Sequence, residues 1–148
     1  MMSPGSWNKR ESAELGSIML DTTGTVRTIL RLEGVAMLVL SAAAYSQWSQ
    51  HGWGLFALLF LAPDLSIAGY LAGSRIGAVT YNVVHTYVGP AALACAAVLW
   101  LGPFWLGIAL IWSAHIGFDR AVGYGLKLPA GFHDTHLGPM GRSRANAA

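Results

Sequence analysis

The chain has 148 residues, of which 54% are apolar and only 11% charged, against about 45–50% and about 25% for an ordinary soluble domain. Nine Lys and Arg with seven Asp and Glu are too few to clothe a water-exposed globule of this size, so a soluble fold is not the first reading. A single cysteine rules out an intrachain disulfide framework, and a net charge of +2 gives no reason to expect nucleic acid as a partner.

Residues 1–27 are polar and lack a basic segment running directly into an apolar core, so they are expected to form a disordered leader rather than a cleavable signal. Beyond them the charges thin out: residues 34–118 carry only Asp64 and Arg75. A bilayer core about 30 Å thick is crossed by about 20 apolar residues in a helix. The chain divides into four such runs, at 29–48, 53–72, 76–101 and 104–126. Residues 55–62 and 91–101 are apolar on every face, whereas a helix at a water boundary shows a polar stripe. The connections at 49–52, 73–75 and 102–103 are short, which forces neighbouring helices to run antiparallel. The expected fold is therefore all-α, an integral-membrane antiparallel four-helix bundle over residues 28–138 that includes a C-terminal capping segment, followed by a flexible tail at 139–148.

Orientation follows from the basic residues. Lys9, Arg10, Arg27 and Arg31 precede the first run, Arg75 lies in the second connection, and Lys127, Arg142 and Arg144 follow the fourth run. The other two connections hold His51 but no Lys or Arg, and Trp48, Trp53, Trp100 and Trp105 gather at that end as an interfacial belt. Both termini are expected to be cytoplasmic, in a multi-pass protein of the cell (inner) membrane whose first partner is the lipid bilayer.

Ionisable groups at membrane depth cost roughly 2.5–3.5 kcal/mol each on insertion scales, so they normally face a bundle interior and have a role there. At 1.5 Å per residue, Asn82 and His85 lie about 9 and 14 Å from the cytoplasmic end of the third run, and Asp64 and His115 about 16 Å from the outer end. Asp119 lies about 6 Å nearer the cytoplasm than His115. Asn82 with His85 and His115 with Asp119 are spaced i, i+3 and i, i+4, so each pair shares a helical face. Pro63 and Pro90 each remove a backbone donor in mid-run, and broken backbone survives in lipid only against protein or water. Asp64, Asn82, His85, His115 and Asp119 are thus the candidate catalytic set in one buried cavity, and Glu33 is positioned to pair with Arg75 or Arg120.

Imidazole and carboxylate together make a ligand set for zinc, iron or manganese. His85, His115 and Asp119 are the candidate ligands within the bundle; His133 and His136, beyond the fourth run, could close its mouth, with Asp64 as a further ligand or a general base. The metal-free reading has the two imidazoles bonding across helices and Asp119 pairing with Arg120 or Arg75. Gly69 and Gly73 form a small-xxx-small pair that serves internal packing or a homo-oligomer. Cys95 among Ala and Val reads as a small core residue, and no phosphate loop or nucleophile elbow is present.

The strings Arg31-Leu32-Glu33-Gly34, Ala62-Pro63-Asp64-Leu65-Ser66, Tyr81-Asn82-Val83-Val84-His85-Thr86, Ala114-His115-Ile116-Gly117-Phe118-Asp119-Arg120, Gly123-Tyr124-Gly125-Leu126-Lys127 and Asp134-Thr135-His136-Leu137-Gly138 resemble a small bacterial integral-membrane family catalogued as a domain of unknown function. The resemblance covers residues 31–138 and implies no reaction. A looser likeness to membrane hydrolases that hold zinc with Asp, His and Ser would assign Asp64, Ser66, His85, His115 and His136 to those roles. Three function classes stand: a metal-dependent intramembrane enzyme acting on an apolar or lipid-like small molecule, a metal-free transporter or proton relay, and a structural or accessory membrane protein.

Overall fold

The computed structural model of the chain describes residues 4–129 and Thr135. Within them five α-helices follow in order: α1 (Pro4–Trp48), α2 (Trp53–Phe60), α3 (Ser74–Val84), α4 (Val88–Ala96) and α5 (Pro103–Val122). A tighter 3-10 stretch, Ala62–Ala72, continues α2, and a π-helical turn, Ala97–Leu101, continues α4. There is no strand among the described residues; an isolated antiparallel bridge joins Lys127 to Thr135.

Three stretches are long and apolar enough to cross a membrane: Gly24–Trp48, Trp53–Ala72 and Ser74–Leu101. Their apolar side chains largely face outward. No residue of α2 is buried, and Leu71 and Trp100 are 93% and 79% exposed. An apolar surface of this extent calls for a lipid or protein environment.

The expected fourth span does not qualify by the same measure. Helix α5 carries His115, Asp119 and Arg120 in its second half, and it is the inner helix of the molecule, packed against α1, α2 and α4. Gly107, Ala109, Ile111, Ala114, His115, Ile116, Gly117 and Asp119 are all buried on it. It also ends earlier than the expected residue 126, because Gly123 adopts φ +97, a left-handed cap that turns its own N–H and that of Tyr124 back onto the Asp119 carbonyl.

The other ends shift for equally local reasons. Residues 4–27, expected as a disordered leader, continue α1 as helix: Pro4 opens the first turn and no further proline interrupts the chain before Pro63. At 45 residues α1 is about 68 Å long, more than twice the bilayer core. The third run is not one helix. It breaks at residues 85–87, three residues ahead of Pro90, whose ring has no N–H to offer a continuing α3. The second run tightens to 3-10 geometry where Pro63 sits.

Helices α1 and α5 pack backbone to backbone. A Cβ on Gly34 would stand 2.6 Å from the Ala121 nitrogen, and one on Gly117 would stand 2.7 Å from the Leu38 nitrogen. Gly69 makes a comparable approach to Thr80 of α3, whose hydroxyl donates to the Ser66 carbonyl at 3.2 Å. At the far end the His51 ring meets Phe104 edge-on at 5.0 Å, so the 49–52 and 102–103 connections share one end of the molecule.

Candidate metal centre

The break between α3 and α4 is what delivers the site. His85 caps the end of α3 with φ −100 and ψ 20, its N–H still bonded to the Tyr81 carbonyl at 2.8 Å, so the chain turns away only after it. A broken helix frees carbonyls, and both are taken up by side chains of α5. The Trp112 indole N–H donates to the Val84 carbonyl at 2.7 Å, and the Arg120 guanidinium donates to the His85 carbonyl at 2.9 Å. Gly89 leaves the space the Trp112 ring needs, since a Cβ there would lie 2.5 Å from it.

Four donor groups converge at this break. Asp64 comes from the 3-10 stretch, His85 from the end of α3, and His115 and Asp119 from α5, with their ligand atoms all within 4.8 Å of one another. The Nε2 atoms of His85 and His115 are 3.2 Å apart. His85 Nε2 lies 3.6 Å from Asp64 Oδ1 and 3.6 Å from Asp119 Oδ2, and His115 Nε2 lies 3.6 Å and 3.9 Å from the same two oxygens. A tetrahedral ion with bonds of 2.0–2.1 Å requires ligand–ligand edges of about 3.3 Å; one of these edges, at 3.2 Å, matches it and the other four, at 3.6–3.9 Å, are longer. The side chains of His85, His115 and Asp119 are 0%, 2% and 6% exposed, whereas Asp64 is 41% exposed and forms the open side.

The surrounding shell orients these donors. His85 Nδ1 lies 2.9 Å from the Tyr81 carbonyl, an arrangement that places the ring proton on Nδ1 and leaves Nε2 a bare lone pair facing the cluster. The Tyr81 ring stacks on His85 at 3.7 Å, and its hydroxyl donates to Asp119 Oδ2 at 2.9 Å. Phe60 meets the His115 ring edge-on at 5.4 Å, and His115 Nδ1 is buried without a hydrogen-bond partner. Beside these donors an apolar cavity of about 250 Å³ is lined by Leu59, Pro63, Val84, Ile111 and Trp112, among others.

Asn82 is not among the converging groups. Its amide clamps the main chain of Lys127, donating to the carbonyl at 2.9 Å and accepting from the N–H at 2.7 Å. That clamp straps the segment after α5 onto α3 and sets the buried Lys127 ammonium 5.1 Å over the Tyr81 ring. Burial pushes this ammonium below the usual lysine range, and the Asp119 carboxylate partly opposes the shift. The Ser66 hydroxyl is buried without a hydrogen-bond partner. Glu33 makes no ion pair among the described residues, so the expected pairing with Arg75 or Arg120 is absent. Asp119 pairs with Tyr81 rather than with an arginine. His133 and His136 lie outside the described residues. Tyr81, Trp112 and Arg120 are the supporting residues that spacing alone does not single out, although Tyr81 stands one turn before His85.

Residues 27–140 match the family described as Domain of unknown function (DUF4260), and the chain belongs to that family. No curated protein and no solved structure matches it significantly.

Proposed function

We propose that this chain is a multi-pass protein of the cell's inner membrane that binds one divalent transition metal, zinc or iron, through Asp64, His85, His115 and Asp119. In this reading α5 crosses the bilayer with the three apolar stretches as an antiparallel four-helix bundle over residues 28–138, with both ends cytoplasmic. The convergence of four donor atoms within 4.8 Å, three of them on buried residues, carries the reading. Without an ion the three buried donors have the Tyr81 hydroxyl, the Tyr81 carbonyl and the contact between the imidazoles to offset their desolvation, and an ion bound by imidazole and carboxylate would add to that. His85, His115 and Asp119 make the two-histidine, one-carboxylate set of open metal sites, and Asp64 on the exposed side would serve as a further ligand or as a general base.

A divalent ion here would supply Lewis acidity at membrane depth, suited to hydrolysis or isomerisation of an apolar or lipid-like molecule. The apolar cavity flanking the ligands supports that substrate class. Its walls are one residue or one turn from the donors: Pro63 precedes Asp64, Val84 precedes His85, and Ile111 is one turn before His115.

The 3.2 Å contact between the imidazoles also favours a second reading, a metal-free relay in which His115 Nε2–H donates to His85 Nε2. Elemental analysis of detergent-purified protein separates the two. Wild type is expected to carry about one zinc or iron per chain and His85→Ala and His115→Ala to carry none. Folded wild type lacking metal after growth with zinc, iron and manganese supplements would overturn the metal reading in favour of the relay.

A further inference from the structure

A second cavity, of about 590 Å³, opens where α1 and α5 meet Tyr87 in the α3–α4 break. Its apolar wall includes Leu30 and Met37 of α1, and its polar groups are Glu33, Tyr87 and Arg120. All three retain hydrogen-bonding capacity. The Tyr87 hydroxyl is buried with no hydrogen-bond partner. The Glu33 carboxylate makes no hydrogen bond or ion pair among the described residues. Arg120 commits one N–H to the His85 carbonyl and one to the Tyr124 carbonyl, which leaves three of the five guanidinium donors. The cavity thus offers donors for an anion, an acceptor for a cation, and an apolar wall.

We propose that this cavity binds a phospholipid whose headgroup carries a primary ammonium beside its phosphate. The phosphate accepts from Arg120 and the Tyr87 hydroxyl, the ammonium donates to Glu33, and the first part of an acyl chain lies along Leu30 and Met37. Charge complementarity selects this headgroup. An anionic headgroup without an ammonium leaves Glu33 facing negative charge, and a quaternary ammonium has no N–H for the carboxylate. Arg120 lies in the last turn of α5, and Arg31 of α1 donates to the Val122 carbonyl beside it, so the cavity lies at the basic end of the bundle. The proposal rests on the membrane-embedded reading, in which that end meets the cytoplasmic headgroups; it does not depend on metal.

The test is native mass spectrometry of the full chain released from micelles holding equal amounts of ethanolamine, choline and glycerol phospholipids with identical acyl chains. Wild type is expected to retain one ethanolamine lipid, favoured over each of the others by about tenfold. Tyr87→Phe, and Ala36→Phe at an exposed position of the cavity wall, should each cut that retention by about tenfold. Glu33→Gln, also at an exposed position, should erase the preference for ethanolamine over choline while phosphate-dependent binding persists. Circular dichroism in the same detergent checks that each variant is folded. Equal retention of the three lipids by wild type, or unchanged selectivity in folded Glu33→Gln, would overturn the proposal. Carbonate extraction of membranes tests the embedding separately, because a chain that leaves with the soluble fraction defeats the membrane reading itself.

Discussion

Tyr81 stands at the centre of the residue-scale picture, stacked on His85, bonded to Asp119, and faced from above by Lys127. Removing only its hydroxyl should leave the ligand set intact and loosen the orientation of one carboxylate. Tyr81→Phe is therefore expected to lower metal affinity by about 10–100-fold without abolishing binding, as measured by competition with a chromogenic chelator. Unchanged affinity would reduce Tyr81 to a packing residue. Depth counting along helices makes Asp64, His85, His115 and Asp119 legible in the sequence, because it needs only the ends of the apolar runs. Asn82 escapes that arithmetic. Its i, i+3 relation to His85 puts both on one helical face, but its amide is taken by the Lys127 main chain, 45 residues further along the sequence.

The elements are held by contacts that reach across the sequence. The break at residues 85–87 leaves two carbonyls that Trp112 and Arg120 satisfy from α5. Trp112→Phe keeps most of the ring and removes the donor, and should destabilise the protein by about 1–3 kcal/mol, read as a lower thermal midpoint in detergent. Gly117→Ala places a methyl group against the α1 backbone at Leu38. It should cost roughly 1–3 kcal/mol, because backbone cannot give way as the end of a side chain can. A thermal midpoint equal to wild type in Gly117→Ala would mean that the α1–α5 crossing is looser than described. Pro90 signals an interruption in the third run, and the sequence thereby locates the break to within a turn. The capping donors, 28 and 35 residues further along the chain, are invisible without the tertiary fold.

At the scale of the whole molecule the one-sided distribution of Lys and Arg predicts where each connection lies. Topology reporters fused after Gln50 and after Ser74 should report opposite sides of the membrane, and a fusion at Ala148 should report the same side as Ser74. Reporters at Gln50 and Ser74 on one side would exclude the antiparallel arrangement proposed for these spans. Apolar runs make the three long spans legible, since composition alone distinguishes them. The special place of α5 is less so. Its buried face is built from Gly107, Ala109, Ala114 and Gly117 alternating with Ile111 and Ile116, residues that read equally well as lipid-facing until their partners are known.

The inner position of α5 has a consequence for how the chain is made. Ribosomes deliver α5 after the other four helices, yet it supplies two of the four converging donors and both carbonyl caps for the α3–α4 break. Carrying His115, Asp119 and Arg120, it is also poorly suited to enter lipid alone. In the proposed membrane reading the earlier helices wait with an unfinished seam until α5 arrives, and an ion held through His115 and Asp119 would be captured at the close of biogenesis rather than at its start.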